Sequence, residues 1–392
     1  MVEGVYPVKI HLVLTDDWEL RGDGSGNMRS IQFDTMRKLV SLYEKFGLKC
    51  SFNVEVMQQL QHIKHGRHYP VLLELAREWE DLVKEHYSKG HDIQLHVHPQ
   101  WHSAQYENNK WRLSDRWSFL DYSEEHIRRI LRECKQYLED LIRPINPDYR
   151  PLAFRSGAWA VAPCDYLLPI LAEIGIVFDM SIVSGLYYNL GLVKLDYRNI
   201  DESFLPYYPK MQDGRHIASS IQPIVCIPTH SFVFTTNLRM KLLNKIIRKT
   251  FPGYWHAYFL SPSWTPIDNS GTSHEYSKQL WEAKYNREVN QNTMVQRLFS
   301  STKEHVLSDL AQLSYRKMKT MLQDIREKAG SSGWSVVPVI LENHTKDIGD
   351  FGPIEKFCAT IAKADDIEVI TSCELAKNIK LGLYPIRKAN VG

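Results

Sequence analysis

None of the six cysteines (Cys50, Cys134, Cys164, Cys226, Cys358 and Cys373) forms a C-x-x-C pair, which removes a dithiol redox motif and a cysteine-built zinc knuckle. Scattered thiols of this kind fit buried side chains in a reducing compartment. Met1 to Lys9 lacks the basic start and apolar run of a signal peptide. No apolar run reaches the ~20 residues that cross a bilayer, and there is no internal repeat or low-complexity tract. Charge of one sign is missing too: a formal net charge of +2 over 392 residues gives no global reason to expect nucleic acid. These absences predict a globular, cytoplasmic protein. Aromatic side chains are abundant, with 10 Trp and 20 Tyr. Such rings stack on sugars in carbohydrate sites but more often fill cores.

Apolar strands alternate with helical segments through the first half. Strands are expected at Val8–Leu14, Lys49–Val54, Asp92–His98, Leu152–Phe154 and Ile176–Asp179. Helices are expected at Ile31–Phe46, Val71–Tyr87, Ser123–Ile142 and Asp165–Ile174. Gly47 stops the first helix; Ser123 caps the third and Pro144 marks its end. Alternation of this kind predicts an α/β protein, a parallel sheet with helices outside it and enough units for a closed barrel. Regularity lapses between Ser184 and Tyr208, returns at Ile224–Ile227, and lapses again over about 235–300. That second stretch is read as an insertion over the barrel mouth of a single domain spanning 1–392. A helix over Thr302–Lys328, a strand Val336–Ile340, a helix Ile354–Ala364 and a strand Glu368–Ile370 complete the chain.

The most informative segment runs from Gly90 to His102. Residues two apart on a strand share a face, so Gln94, His96 and His98 point one way and Ile93, Leu95 and Val97 the other. Two imidazoles side by side at a strand end are a ready pair of metal ligands. In parallel barrels, reactive groups gather at the C-terminal strand ends. Here four predicted ends carry them: Thr15-Asp16-Asp17-Trp18, His96-Val97-His98, Phe154-Arg155-Ser156-Gly157 and Glu342-Asn343-His344-Thr345. One carboxylate and two imidazoles around a divalent ion leave positions for water and substrate. Water bound there acidifies to a pKa near ~7. The second carboxylate can take its proton, and Arg155 can orient that base and keep it ionised. His344 is placed to protonate a leaving nitrogen or oxygen.

These signatures, in this order, resemble the polysaccharide deacetylase family (the NodB-homology, carbohydrate esterase family 4 group). Its first motif, T-F-D-D, looks like Leu14-Thr15-Asp16-Asp17; the second strand looks like Lys49-Cys50-Ser51-Phe52-Asn53-Val54; and Gly90-His91-Asp92-Ile93 looks like the G-H-E-I lead-in to its H-x-x-x-H motif. The resemblance implies a distorted (β/α) barrel, with Asp16 as base, Asp17 and His96 as metal ligands, Arg155 as the carried-over third-motif residue and His344 as the proton donor. The family's second histidine would fall on Gln100, so either His98 completes an H-x-H pair with His96, or the motif shifts to His98 and His102. His96 and His98 share a face without a change of chain direction, and the L-H-x-H-P pattern resembles a divergent branch of the superfamily. Asp179, in Phe178-Asp179-Met180-Ser181, is a candidate partner for His344. Trp18, Trp101 and Trp159 are candidate sugar-stacking residues.

The expectation is therefore a hydrolase that uses one divalent metal ion (zinc, with cobalt, nickel or iron as alternatives) to remove an N-acetyl or other N-acyl group. Its substrate would be a sugar, an oligosaccharide or a lipid-linked glycan in cell-surface polysaccharide or O-antigen assembly. Two other readings stand beside it. One is a glycan-binding barrel without turnover. The other is a metallohydrolase of amidohydrolase type, which would need a second metal and later-strand ligands, for which His230 is the obvious spare. The segment Leu238–Phe251 is basic on one face and apolar on the other, so it reads either as a packed helix or as a peripheral contact with an anionic membrane.

Overall fold

In a computed structural model, residues 8–190, 193–200, 204–236, 250 and 302–389 are described. Seven parallel strands lie in the spatial order Val225–Cys226, Phe178–Asp179, Ala153–Ser156, Asp92–Val97, Ser51–Glu55, Lys9–Trp18 and Val336–Leu341. An eighth, Ile367–Ile370, pairs with the first half of Lys9–Trp18. The ring closes through single bridges. Thr229, just beyond Val225–Cys226, bridges Val183 and Ile340, and the His230 amide donates to the Ile340 carbonyl at 2.9 Å. This is an α/β fold, a distorted barrel rather than one with continuous ladders, as expected.

Helices cover the outside by burying one stripe each. Glu124–Ile142 begins after Ser123, which holds the expected N-cap position but makes no side-chain capping bond, and buries Ile127, Ile130, Leu131, Cys134, Leu138 and Leu141. Each such side chain contributes roughly 2 kcal/mol through removal from water. Asp34–Lys45 buries Met36, Leu39, Val40 and Tyr43 in the same manner. Val56–Gly66 and Ser372–Lys380 are helices that the apolar pattern did not reveal. The former buries Gln58, Gln59, Gln61 and His62, polar residues that obscure its inward face.

Two departures bear on the site. The first strand runs on to Trp18, four residues past its apolar run, because Thr15–Trp18 finds a new partner in Ser51–Val54. The expected helix over Thr302–Lys328 is in fact a strand, Thr302–Leu307, then a short turn of helix and a helix Tyr315–Ser331 capped by Ser314. Pairing with Ser231–Thr236 overrides the local helical spacing. That antiparallel pair brackets residues 237–301. The insertion expected at about 235–300 and the basic segment 238–251 lie almost wholly outside the described residues. Among the described residues, no helix is long and apolar enough to cross a membrane.

Candidate metal centre

The site grows from three neighbouring strand ends. On Asp92–Val97, Gln94 accepts from the amides of Leu152 and Ala153 at 2.8 Å, which sets the register to the next strand. His96 lies one pleat further on the same face. Its Nδ1 donates to the Arg155 carbonyl at 2.8 Å, which leaves Nε2 as the outward-facing nitrogen. The His98 amide donates to Glu55 at 2.5 Å, and the other Glu55 oxygen caps helix Val56–Gly66 through the amides of Met57 and Gln58. Glu55 lies close enough to the histidines to be a fourth donor, but backbone amides occupy its oxygens. It anchors His98 rather than competing with it for a ligand.

Both histidines converge on a carboxylate that sequence reading missed. Glu19 Oε2 lies 3.1 Å from His96 Nε2 and 2.5 Å from His98 Nε2, while its Oε1 accepts from Lys346. Asp17, the expected metal ligand, has its Oδ2 at 4.0 Å from His96 Nε2. The signal for Glu19 was present in the sequence. It follows Asp17 by two residues on an extended chain and so shares its face. His102 does not enter: its ring packs 4.5 Å from that of His126.

The donor set suits a divalent ion. Carboxylate and imidazole bonds of 2.0–2.2 Å to one ion put neighbouring donor atoms about 3.0–3.5 Å apart. The Glu19–His96 separation already meets this, and the shorter Glu19–His98 contact is a hydrogen bond that an ion would replace. Burial disfavours a charged His96, yet Asp17 and Glu19 outweigh it and raise its pKa to about 9. A field that attracts a proton to this nitrogen attracts any cation. Glu19 itself is held well below the ordinary carboxylate range; burial opposes this, and His98 and Lys346 overcome it.

Beside the tripod, Arg155 lies fully buried and donates to Asp17 Oδ1 at 2.7 Å, Thr15 at 2.9 Å and Thr229 at 3.0 Å. Asn53 also donates to Asp17 Oδ1, at 2.8 Å. Burial alone would raise the Asp17 pKa; Arg155 first, then His96 and His344, bring it down to about 2. Asp17 is therefore ionised, with Oδ2 free of hydrogen bonds among the described residues. Arg155 was expected to orient Asp16, and it orients Asp17 instead. Asp16 lies on the other face of the strand near Tyr43 and Cys50 and accepts from Asn343. Burial raises its pKa well above the ordinary value, and its place on the other strand face sets it apart from the histidine pair.

On the opposite rim, His344 Nδ1 meets Asp309 Oδ2 at 2.9 Å, and Nε2 looks toward Asp17 Oδ2 at 3.8 Å and Glu342 Oε1 at 3.4 Å. Burial lowers the His344 pKa, but Asp309 and Glu342 outweigh it and lift it to about 9. The partner of His344 is Asp309, not Asp179, which binds Ser181 instead. Asp309 escaped sequence reading because it fell inside the wrongly expected helix. In the fold it bridges Glu342 at the end of the neighbouring strand.

The tryptophans divide. Trp18 is fully buried, stacked on Trp79 and bonded to the Gln32 carbonyl at 2.9 Å, and Trp101 is buried against Trp111 and His62. Both are core residues and not stacking platforms. Trp159 reaches the site, its ring centroid 5.8 Å from that of His344. Ala158 and Trp159 both have positive φ, of 53° and 56°, so this turn is strained next to the reactive groups. His230 lies apart, held by Ser308 at 2.5 Å and Asp324 at 3.0 Å.

No family model and no curated protein matches the chain. Several solved structures resemble it over most of its length. A Mycobacterium smegmatis protein described as a polysaccharide deacetylase is 14% identical, with a TM-score of 0.48, covering 100% of this chain and 97% of its own. PuuE allantoinase is 12% identical, with a TM-score of 0.46, covering 96% of this chain and 91% of its own. A GH57 branching enzyme from Thermococcus kodakaraensis is 12% identical, with a TM-score of 0.48, covering 98% of this chain and 72% of its own.

Proposed function

We propose that this protein is a metal-dependent hydrolase of the polysaccharide deacetylase type that removes an N-acetyl or other N-acyl group from a sugar. The observation that carries the proposal is the convergence of His96 Nε2 and His98 Nε2 on Glu19, flanked by an Arg155-held Asp17 and an Asp309-held His344. The motif resemblance supports the same reading. Glu19, His96 and His98 would hold the ion, with zinc the first choice for such donors and cobalt, nickel or iron alternatives. When bound, the ion supplies Lewis acidity toward the acyl carbonyl.

The chain's own residues supply the rest. Asp17 Oδ2 accepts a proton from the attacking water; Arg155 and Asn53 fix its other oxygen and keep the carboxylate ionised. His344 carries a proton at neutral pH and donates it from Nε2 to the departing nitrogen, while Asp309 holds the ring. Lys346 neutralises Glu19 from behind. Trp159 offers a flat apolar face beside the donor for a sugar ring.

The finer parts of the proposal are the sugar, a role in cell-surface polysaccharide or O-antigen assembly, a cytoplasmic setting and membrane contact through 238–251. Acetate release from N-acetylated amino sugars and their oligosaccharides, by zinc- or cobalt-loaded protein beside Asp17→Asn, tests the activity. Release by wild type alone supports it. Equal release by Asp17→Asn, or none from any N-acylated sugar, overturns it. Co-sedimentation with anionic liposomes, lost on reversing Lys245 and Arg248, tests the membrane contact.

A further inference from the structure

A second cluster of donors lies immediately beside the tripod. Asp17, Glu342 and His344 each offer one donor atom within 4.8 Å of the others, and all three side chains are buried. Asp17 Oδ1 is taken by Arg155 and Asn53, but among the described residues no hydrogen bond reaches Oδ2. His344 Nδ1 is taken by Asp309, but among the described residues none reaches Nε2. These two atoms belong to side chains only 2% and 4% exposed, and they are aimed at one another and at Glu342 across 3.8 Å and 3.4 Å. Such separations are too long or too poorly aligned for hydrogen bonds. The shorter one is what two bonds to a common ion produce, about 3.0–3.5 Å between donor atoms.

The charge balance points the same way. Three buried carboxylates, Asp17, Glu342 and Asp309, surround His344, and Arg155 is bonded to one of them, Asp17. Lys346, a partly buried cation nearby, is engaged by Glu19. A divalent ion would be drawn to that concentration of negative charge. The Asp309–His344 contact is also the arrangement in which a carboxylate orients a metal-bound imidazole through its remote nitrogen.

We infer that Asp17, Glu342 and His344 form a second divalent-cation site, separate from the Glu19–His96–His98 tripod and sharing its atoms with the proton-accepting and proton-donating groups. The inference rests on the proposed roles of Asp17 and His344. A cation there takes up the free oxygen of the base and the free nitrogen of the donor together, so a protein filled at both sites is arrested. The second site is the weaker of the two, because Arg155 already neutralises half of the Asp17 carboxylate and repels an incoming cation.

Equilibrium dialysis against zinc alone, with metal and protein counted on the folded chain, tests this without any substrate. The comparison is wild type, Glu342→Gln and Glu19→Gln. Glu342→Gln is expected to bind one equivalent fewer than wild type while retaining the tighter site; Glu19→Gln is expected to lose the tighter site and keep the weaker. Equal stoichiometry in wild type and Glu342→Gln overturns the second site. Unchanged tight binding in Glu19→Gln instead overturns the tripod and leaves the second cluster standing, so the two failures are distinguishable. Should Glu342→Gln lose its far-ultraviolet circular dichroism, His344→Gln serves in the same comparison with the same two outcomes.

Discussion

Glu19 Oε2 lies 2.5 Å from His98 Nε2, although 79 positions separate the two residues in the chain. The contact joins the end of the first strand to the end of the third, with the strand Ser51–Glu55 between them. In the proposed site this contact makes Glu19 the carboxylate of the tripod and leaves Asp17 to another task.

Substitutions at the two carboxylates should therefore separate. Glu19→Gln should remove tightly bound metal, whereas Asp17→Asn should retain it and lower turnover by roughly 10²–10⁴-fold, the usual worth of a positioned base. Metal analysis of both purified variants, with single-turnover hydrolysis, checks this. Metal loss in Asp17→Asn with retention in Glu19→Gln would exchange their roles.

Gly157 packs against the ring of His98: an added Cβ would lie 2.8 Å from its Cγ and 2.9 Å from both its Nδ1 and the Val97 carbonyl. The backbone cannot yield easily, so Gly157→Ala should push His98 off Glu19. Metal affinity should fall by about 10–100-fold, as for other disturbed ligand supports, with the fold retained. Titration with a chromophoric zinc chelator reads this out directly.

Asp309 raises the His344 pKa toward about 9 against the effect of burial. A proton donor must be protonated, so activity should decline as pH rises through the His344 value. Asp309→Asn removes the stabilising charge and should move the alkaline limb of kcat/KM to lower pH. An unchanged limb would remove His344 from the proton-donating step.

Acid should weaken the fold through histidines distant from the metal. Burial lowers His62 and His86 to about 4 and His91 to about 3, from 6.5. Among the described residues His86 has no hydrogen-bond partner on either ring nitrogen, and His91 Nδ1 accepts from the Cys50 amide, which favours its neutral form. The unfolded chain binds protons at these sites below pH about 6.5, while the folded chain resists until their lowered values. Stability is thus fully present above pH about 6.5 and declines below it. Each histidine adds a slope of up to about 1.4 kcal/mol per pH unit. Urea midpoints between pH 7.5 and 5 should show the decline, and His86→Phe should flatten it.

The turn at Ala158 and Trp159 carries backbone strain that a glycine relieves. With φ of 53° at Ala158, Ala158→Gly should stabilise the fold by up to about 1 kcal/mol, reduced by the greater entropy of glycine in the unfolded chain. It should also loosen Trp159 beside His344 and raise KM more than it lowers kcat. Thermal melts and steady-state kinetics separate the two effects.

Much of this protein is legible in its sequence. Period-two alternation places His96 and His98 on one face, and the strand–helix rhythm predicts a parallel barrel with reactive groups on one rim; both are consequences of local backbone geometry. The same period puts Glu19 in phase with Asp17, but which of the two reaches the histidines depends on how the first strand changes partners after Leu14. No local pattern encodes that. The tertiary structure alone decided that Arg155 faces Asp17 instead of Asp16, because the two carboxylates occupy opposite faces and only one looks into the barrel. It also decided that Asp309 supports His344. The segment 302–307 has helical spacing, yet becomes a strand because a partner strand, Ser231–Thr236, is available to it. Long-range pairing outweighs local preference there, and with it goes the position of every side chain that follows.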